Sequence, residues 1–462
     1  MSKSSPSNRA TATEENIRPD AAELEAAVFH KVTLRLVPFL FLCYILSYVD
    51  RVNVGFAKLQ MQHDLGMTEA MYGAGMGVFF LGYFLLEVPS NLMMQKVGAR
   101  RWIGPIMIVW GVVSSISMFA KTPALFYSLR FILGMVESGF FPGVVLYLTF
   151  WFPRSHLAKT ISMFMSAIAL AGAFGSPFSG WIMAKMGHTG GLANWQWLFL
   201  LEGIPSAIAG IVALYYLSDG PASASWLKPE EREVIIRSLA REEALKRTQA
   251  ESSHSMMDAF KSPQVWWFCL VYFGVVVANY FVGFWMPEII KGSITQDPWK
   301  IGLVSVIPWG IGAATMIWFG HHSDKTGERR WHLTGALLVS AFFLILNGIP
   351  GLPPAVHVAV LAGAVAGIMS SISTFWALPA SILSGSAAAA GLAWINSVGN
   401  LGGYFSPKVI GSIRDHSSNP MYPALLVTVS CLVAAAATLI ATREAKRPAL
   451  SSEPTVAEAE AP

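Results

Sequence analysis

The chain is poor in charge: only 13% of its 462 residues are Asp, Glu, Lys or Arg, while 54% are hydrophobic. A soluble protein of this length needs more charge to cover its surface, so a soluble globular fold is excluded. There are three cysteines, Cys43, Cys269 and Cys431, each alone inside an apolar run. No C-x-x-C or zinc-type spacing occurs, so they read as small core hydrophobes, and no metal or cofactor is expected. Gly-x-Ser-x-Gly and phosphate-binding loops are missing too, and no polar segment is long enough for a catalytic domain, which excludes the common enzyme classes. The polar start, MSKSSPSNRATATEENIRPD, lacks the apolar region of a signal peptide and reads as a disordered cytosolic tail over 1–32.

What is present is a series of long apolar runs. About 20 apolar residues cross a bilayer core of about 30 Å as a helix. Twelve runs qualify, near 33–56, 72–94, 102–120, 124–150, 160–184, 195–217, 264–288, 300–320, 332–349, 355–380, 387–412 and 421–442. The expected fold is all-α and membrane-embedded, with a six-helix half over 33–218 and another over 263–442. A central cytoplasmic loop at 219–262 carries one amphipathic surface helix, and 443–462 is a second cytosolic tail. With the N-terminus inside, the outer segments carry only Lys58, Lys121, Lys185, Lys291, Lys300, Lys408 and Arg414. The remaining Lys and Arg, apart from Arg51 and Arg130 within spans, fall inside, which places both termini in the cytoplasm. The net charge of +4 is therefore a matter of topology and gives no reason to expect a nucleic-acid partner.

The halves repeat. NLMMQKVGARRWI (91–103) and GHHSDKTGERRWH (320–332) both follow the second helix of a half, as internal repeats do in secondary transporters. The second copy resembles the loop motif of the major facilitator superfamily, G-x-x-x-D-x-x-G-[RK]-[RK], through Gly320, Asp324, Gly327, Arg329 and Arg330, with Glu328 departing; Gln95 departs in the first copy. Arg130 and Gly134 look like the R-x-x-x-G of the fourth helix, and AGAFGSPFSG (171–180) like the Gly/Pro motif of the fifth. Within that superfamily the chain resembles the anion:cation symporters. YVDRVNVGFAK (48–58), LEVPSNL (86–92), GMVESGFFPG (134–143), WLFLLEGIP (197–205), SDKTGERR (323–330) and INSVGNLGG (395–403) carry this resemblance. Its tartrate, sugar-acid and aromatic-acid transporters look nearest. The resemblance implies a monomer in the bacterial inner membrane, cotransporting an organic anion with protons.

Charges buried in a membrane cost several kcal/mol unless paired or hydrated, so they mark candidate function. Tyr44, Tyr48, Arg51 and Gly55 share one face of helix 1. Arg51 offers a planar fork to a carboxylate, or else an internal ion pair that only joins helices. Asp50 points about 100° away. On helix 4, Arg130 and Glu137 lie on one face about 10 Å apart. Glu137, among Phe140, Phe141 and Met135, is placed to bind and release a proton; Asp50, at the depth of Arg130, is expected to pair with it until protonated. Static pairing with arginine is the alternative for both acids. The resemblance agrees, since related symporters use matching acidic positions for protons. Glu87 reads as a structural partner of a loop arginine, and Glu202 as structural. Tyr83 is a cavity residue or an ordinary buried tyrosine. Asn279 and Tyr280, Trp376 with its neighbours, and Asn396 and Asn400 are the neutral contacts expected of the second half. The resemblance implies that the helix 10 and 11 positions face substrate, while helix–helix contact is the plain alternative for Asn279. Arg100, Arg101, Asp324, Arg329 and Arg330 are expected to gate. Export, sodium coupling and a transporter-like sensor remain rivals.

Overall fold

The computed structural model describes residues 19–187, 189–249, 261–382 and 386–443. All its regular elements are helices. Twelve membrane-crossing segments, α1–α12, follow one another up and down. α1 is Pro19–Val52 continued by Val54–Asp64, α2 Glu69–Val97, and α3 Ala99–Ile116. α4 is Pro123–Glu137 with Phe140–Thr149, α5 Arg154–Met165 with Ala167–Lys185, and α6 Asn194–Tyr216. A linker helix, Pro229–Gln249, joins the halves. The second half has α7 (Pro263–Ser293), α8 (Pro298–Thr326), α9 (Arg330–Asn347) and α10 (Pro354–Phe375 with Ala377–Ile382). It ends with α11 (Ser386–Asn400 with Gly402–His416) and α12 (Met421–Ala441). Among the described residues, 11 helices are by themselves long and apolar enough to cross a membrane; α11 is the twelfth, interrupted at Leu401.

Local chemistry sets the ends. Prolines open α4, α7, α8 and α10, where the missing N–H costs nothing. Thr68 caps α2 by accepting from Met71 N–H at 3.2 Å, and Asp297 caps α8 by accepting from Trp299 N–H at 3.0 Å. Gly327 ends α8 in the left-handed conformation, φ 67°. Between ends, helices satisfy every backbone group internally, as lipid requires. Exposed Leu85, Phe174, Ile208, Trp318 and Phe342 form part of the lipid-facing belt.

Residues 19–32, expected as part of a tail, are helical. Helix α1 starts at Pro19, because AAELEAAVFHKV is built of strong helix formers and Val28, Phe29 and Val32 are buried. Phe29 stacks on His156 with centroids 4.6 Å apart, and Lys31 bonds Glu231 of the linker helix at 2.7 Å. That ammonium holds the Glu231 carboxyl below the usual carboxylate range. Residues 1–18, 250–260 and 444–462, parts of the two tails and the central loop, lie outside the described residues.

The bundle has a near end, where α1 begins and α12 finishes, and a far end. The halves meet along α2 against α11 and α5 against α8. Both seams are tightest toward the far end, where Gly73 and Gly411 let α2 and α11 touch backbone to backbone and Gly180 and Gly302 do so for α5 and α8.

Candidate functional site

At mid-depth between the halves lies a cavity of about 40 Å³, lined by Tyr44, Tyr48 and Arg51 of α1, Tyr83 of α2, and Tyr272, Asn279 and Tyr280 of α7. Phe141, Met165, Ile168, Val275, Val276, Ile372, Asn396 and Asn400 complete it. That volume holds a few waters and is too small for a four-carbon diacid. Helical period brings these side chains together: Tyr44, Tyr48 and Arg51 recur on one face of α1, and Tyr272, Asn279 and Tyr280 on one face of α7.

Arg51 is the centre of the polar network. Its Nε donates to Glu137 Oε1 at 3.1 Å, its NH2 group bonds the same oxygen, and its NH1 donates to the Tyr280 hydroxyl at 2.9 Å. Ser47 donates to Glu137 Oε1 at 2.6 Å, while Oε2 has no partner. The guanidinium carbon lies 5.5 Å from the Tyr83 ring centre. Tyr48 donates to Asn279 Oδ1 at 3.3 Å, linking α1 to α7. Arg51 therefore joins both halves, through Glu137 in one and Tyr280 in the other.

Asp50 faces away from the cavity, toward α3 and α6. Trp110 Nε1 and Ser114 Oγ donate to it at 2.9 Å each, and Ser206 is a third donor. The expected pair with Arg130 does not form, because Asp50 sits about 100° around α1 from the face that Arg130 approaches. Arg130 is 1% exposed and donates from NH2 to the Arg51 carbonyl at 3.4 Å, with Nε and NH1 unpartnered. It does not line the cavity. Trp376 does not line it either; its ring packs edge-on against Tyr272, centroids 4.9 Å apart.

Glu87 has no loop arginine. It lies one turn beyond Tyr83 and faces α11, accepting from Ser397 Oγ at 3.0 Å and from the Asn396 amide. This contact ties the halves together on the near side of the cavity. Glu202 accepts from Ser179 at 2.6 Å, within its own half.

The motif charges bond inside their own halves. Arg100 N–H donates to Asp219 at 3.0 Å and its side chain to the Leu214 carbonyl. Arg101 is exposed. Arg329 pairs with Asp324 at 3.5 Å and donates to the Ala377 carbonyl at 3.0 Å, and Arg330 donates to the Leu439 carbonyl at 3.3 Å.

A cluster that sequence reasoning missed closes the far end. Lys58 bonds Glu69 at 2.8 Å and also Glu288, while Arg414 bonds Glu69 at 3.3 Å and also Glu288. The Trp285 ring lies under both cations, 4.0 Å from Lys58 Nζ and 4.8 Å from the Arg414 guanidinium carbon. Lys58 and Glu69 belong to one half and Glu288 and Arg414 to the other, so two ion pairs cross the seam. The signal available was the charge signs: each of these residues lies at a span end facing the same side.

The family model described as Major Facilitator Superfamily matches residues 40–407. A protein of Agrobacterium vitis named "Putative tartrate transporter" is 43% identical over 92% of this chain and 96% of its own length. "Putative metabolite transport protein NicT" of Pseudomonas putida is 40% identical over 88% of this chain and 92% of its own. A "Quinolone resistance transporter" of Acinetobacter baumannii is 36% identical over 86% of this chain and 91% of its own. The partially occluded inward-open xylose transporter of E. coli superposes with a TM-score of 0.69 at 17% identity, covering 87% of this chain and 96% of that one.

Proposed function

The chain belongs to the Major Facilitator Superfamily, and from that premise we propose that it is a secondary transporter carrying a small organic acid anion inward together with protons. A tartrate- or sugar-acid-like anion fits best, and an aromatic carboxylate next. The observation that carries this reading is the occupation of Arg51, the one cation lining the cavity among the described residues, by Glu137. A carboxylate substrate needs that guanidinium, and Glu137 releases it on taking up a proton. Proton binding and anion binding then favour one another through a single side chain, which is the linkage a symporter requires. Tyr48, Tyr83, Asn279 and Asn400 surround the anion's hydroxyls, and Trp376 supports the wall through Tyr272. Arg130 supplies a second positive charge behind Arg51.

Asp50 is the second proton carrier. Its three neutral donors stabilise the carboxylate without an opposite charge, so protonation leaves no orphaned cation. Two carriers moving two protons make dianion transport electroneutral and monoanion transport electrogenic. Both termini face the cytoplasm, as the Lys/Arg distribution indicates, so the far end is external. The 96–101 and 325–330 loops, with Arg100, Arg101, Asp324, Arg329 and Arg330, lie at the near end. They act as gates as the halves rock about the midplane.

The test is external pH in de-energised cells given L-tartrate, sugar acids, phthalate or hydroxyphenylacetate. Alkalinisation with one acid that is lost in Glu137→Gln supports the reading; uptake of labelled acid without proton movement sinks the coupling. Export is the second reading, favoured by the relative named for quinolone resistance. Drug accumulation that rises when the gene is deleted would decide for it.

A further inference from the structure

Beside the far-end ion cluster lies a cleft of about 540 Å³, lined among others by Lys58, Gln62, His63, Glu288, Lys291 and Arg414. Its volume falls in the range of small-molecule sites, about 300–1,000 Å³. Its charges do not balance. Lys58, Lys291 and Arg414 are three cations, and Glu69 and Glu288 are two carboxylates that serve Lys58 and Arg414. The other acids nearby are committed elsewhere. Asp415 accepts from Thr68 Oγ1 at 2.8 Å and from Glu69 N–H at 2.7 Å, and Asp64 accepts from Trp195 at 2.8 Å. Lys291 makes no ion pair among the described residues, while His63 lies 3.5 Å from Asp64. The cleft thus has room for one further carboxylate.

Glu288 shows how that carboxylate is held. Its Oε1 is taken by Arg414 and its Oε2 by Lys58, a fork with one arm in each half of the protein. The Trp285 ring beneath both cations gives the fork an apolar floor. A soluble carboxylate arriving next to Lys291 meets the same two donors and competes with Glu288 for them. Where it wins, the Lys58–Glu288 pair across the seam is broken.

We propose that this cleft is a first binding site for the transported organic acid, in which Lys291 with Lys58 or Arg414 holds its carboxylate. By displacing Glu288, the cargo breaks one of the two ion pairs that cross the seam and leaves Arg414–Glu69 as the other. This rests on the reading that the cargo is an organic anion arriving from the far side. It adds a second site, reached at Lys58 about 10 Å along α1 from Arg51, and a reason why cargo of the right charge loosens that end.

The test separates the two sites. Full-length Arg51→Gln protein in nanodiscs, at constant ionic strength, is titrated with L-tartrate, galactonate and 4-hydroxyphenylacetate while tryptophan fluorescence is read. The expected result is a saturable change despite the loss of Arg51. Adding Trp285→Phe removes it, Lys291→Gln moves its midpoint up about tenfold, and Lys291→Arg restores it. In the otherwise wild-type chain, Lys291→Gln raises the uptake KM several-fold and leaves kcat unchanged. That measurement does not depend on the folding of the Arg51 variant. No signal in Arg51→Gln at concentrations that saturate wild-type uptake, or a signal indifferent to Lys291, overturns the proposal. If wild type takes up none of the acids while the Arg51→Gln signal persists, the cleft stands as a carboxylate site and the transport reading falls.

Discussion

Glu137 meets Arg51 edge-on with a single oxygen: Oε1 accepts Nε–H at 3.1 Å and the NH2 group as well, while Oε2 is left without a partner. A fully engaged fork would use both carboxylate oxygens. The spare oxygen is where a proton can sit without first breaking the pair.

Glu137→Gln keeps the shape and removes the charge. The carboxamide oxygen can still accept from Arg51 but carries no charge to compete with the substrate's carboxylate. Exchange of labelled for unlabelled acid survives, but proton-driven accumulation drops by at least about tenfold, the scale of a typical coupling free energy. Counterflow and uptake in proteoliposomes check this. Accumulation equal to wild type would show that Glu137 does not carry the proton.

Asp50→Asn tests the second carrier. The carboxamide oxygen can still accept from Trp110, and the Ser114 hydroxyl can turn to accept from the new amide. Stability is expected to fall by no more than about 1 kcal/mol. Accumulation driven by the proton gradient is expected to fall while exchange remains, because Glu137 still carries one proton. The ratio of charge moved to acid moved should fall by one relative to wild type, read as current against isotope uptake.

Glu87→Ala opens the near side. It removes two hydrogen bonds between the halves, to Asn396 and Ser397, and each bond to a charged group is worth about 1.5–3 kcal/mol. A cysteine placed at Asn400, on the cavity wall, should then react with a water-soluble thiol reagent roughly tenfold faster. The native Cys43, Cys269 and Cys431 are buried and stay silent. An unchanged rate would mean that Glu87 does not hold the halves together.

Gly134→Val should unseat α4 from α2. Even a Cβ at Gly134 collides with the Phe79 carbonyl, and the reciprocal Gly82 meets the Phe131 carbonyl. The overpacking costs about 1–3 kcal/mol, visible as a lower melting temperature in detergent. It also moves Phe79, which lies 5.0 Å beneath the Arg130 guanidinium.

Much of this geometry was legible in the sequence, and the reasons are physical. Apolar length gave the spans, and the 3.6-residue period put Tyr44, Tyr48 and Arg51 on one face of α1; Asn400 came from the family resemblance, and Asn279 from its polarity in the second half. The same period turned Asp50 toward a neighbouring helix. It could not identify that neighbour, because how a helix is rotated against its partners depends on packing. Trp110, Ser114 and Ser206 looked like ordinary membrane residues until they converged on one carboxylate. Glu87 and Asn396 are 309 positions apart, and neither carries a mark of the other. Lys58, Lys291 and Arg414 were visible only as charges for orienting loops, because ion pairs between distant span ends have no local signature. The start of α1 was hidden by a polar composition that is equally a good helix.

Apart from the break of α1 at Asn53, the interruptions of the helices recur in the two halves. α4 breaks at Ser138–Gly139 and α10 at Trp376; α5 breaks at Ser166 and α11 at Leu401. The fourth and fifth helices of each half are thus jointed rods. A half made of straight rods would have to tilt as a block, prising open the far end whenever the near end moved. With joints at mid-depth, the lower limbs can swing while the upper limbs of α5 and α11 stay packed against α8 and α2 at Gly180/Gly302 and Gly73/Gly411. Elastic compliance concentrated at these joints would let one mouth of the protein relax without loading the other.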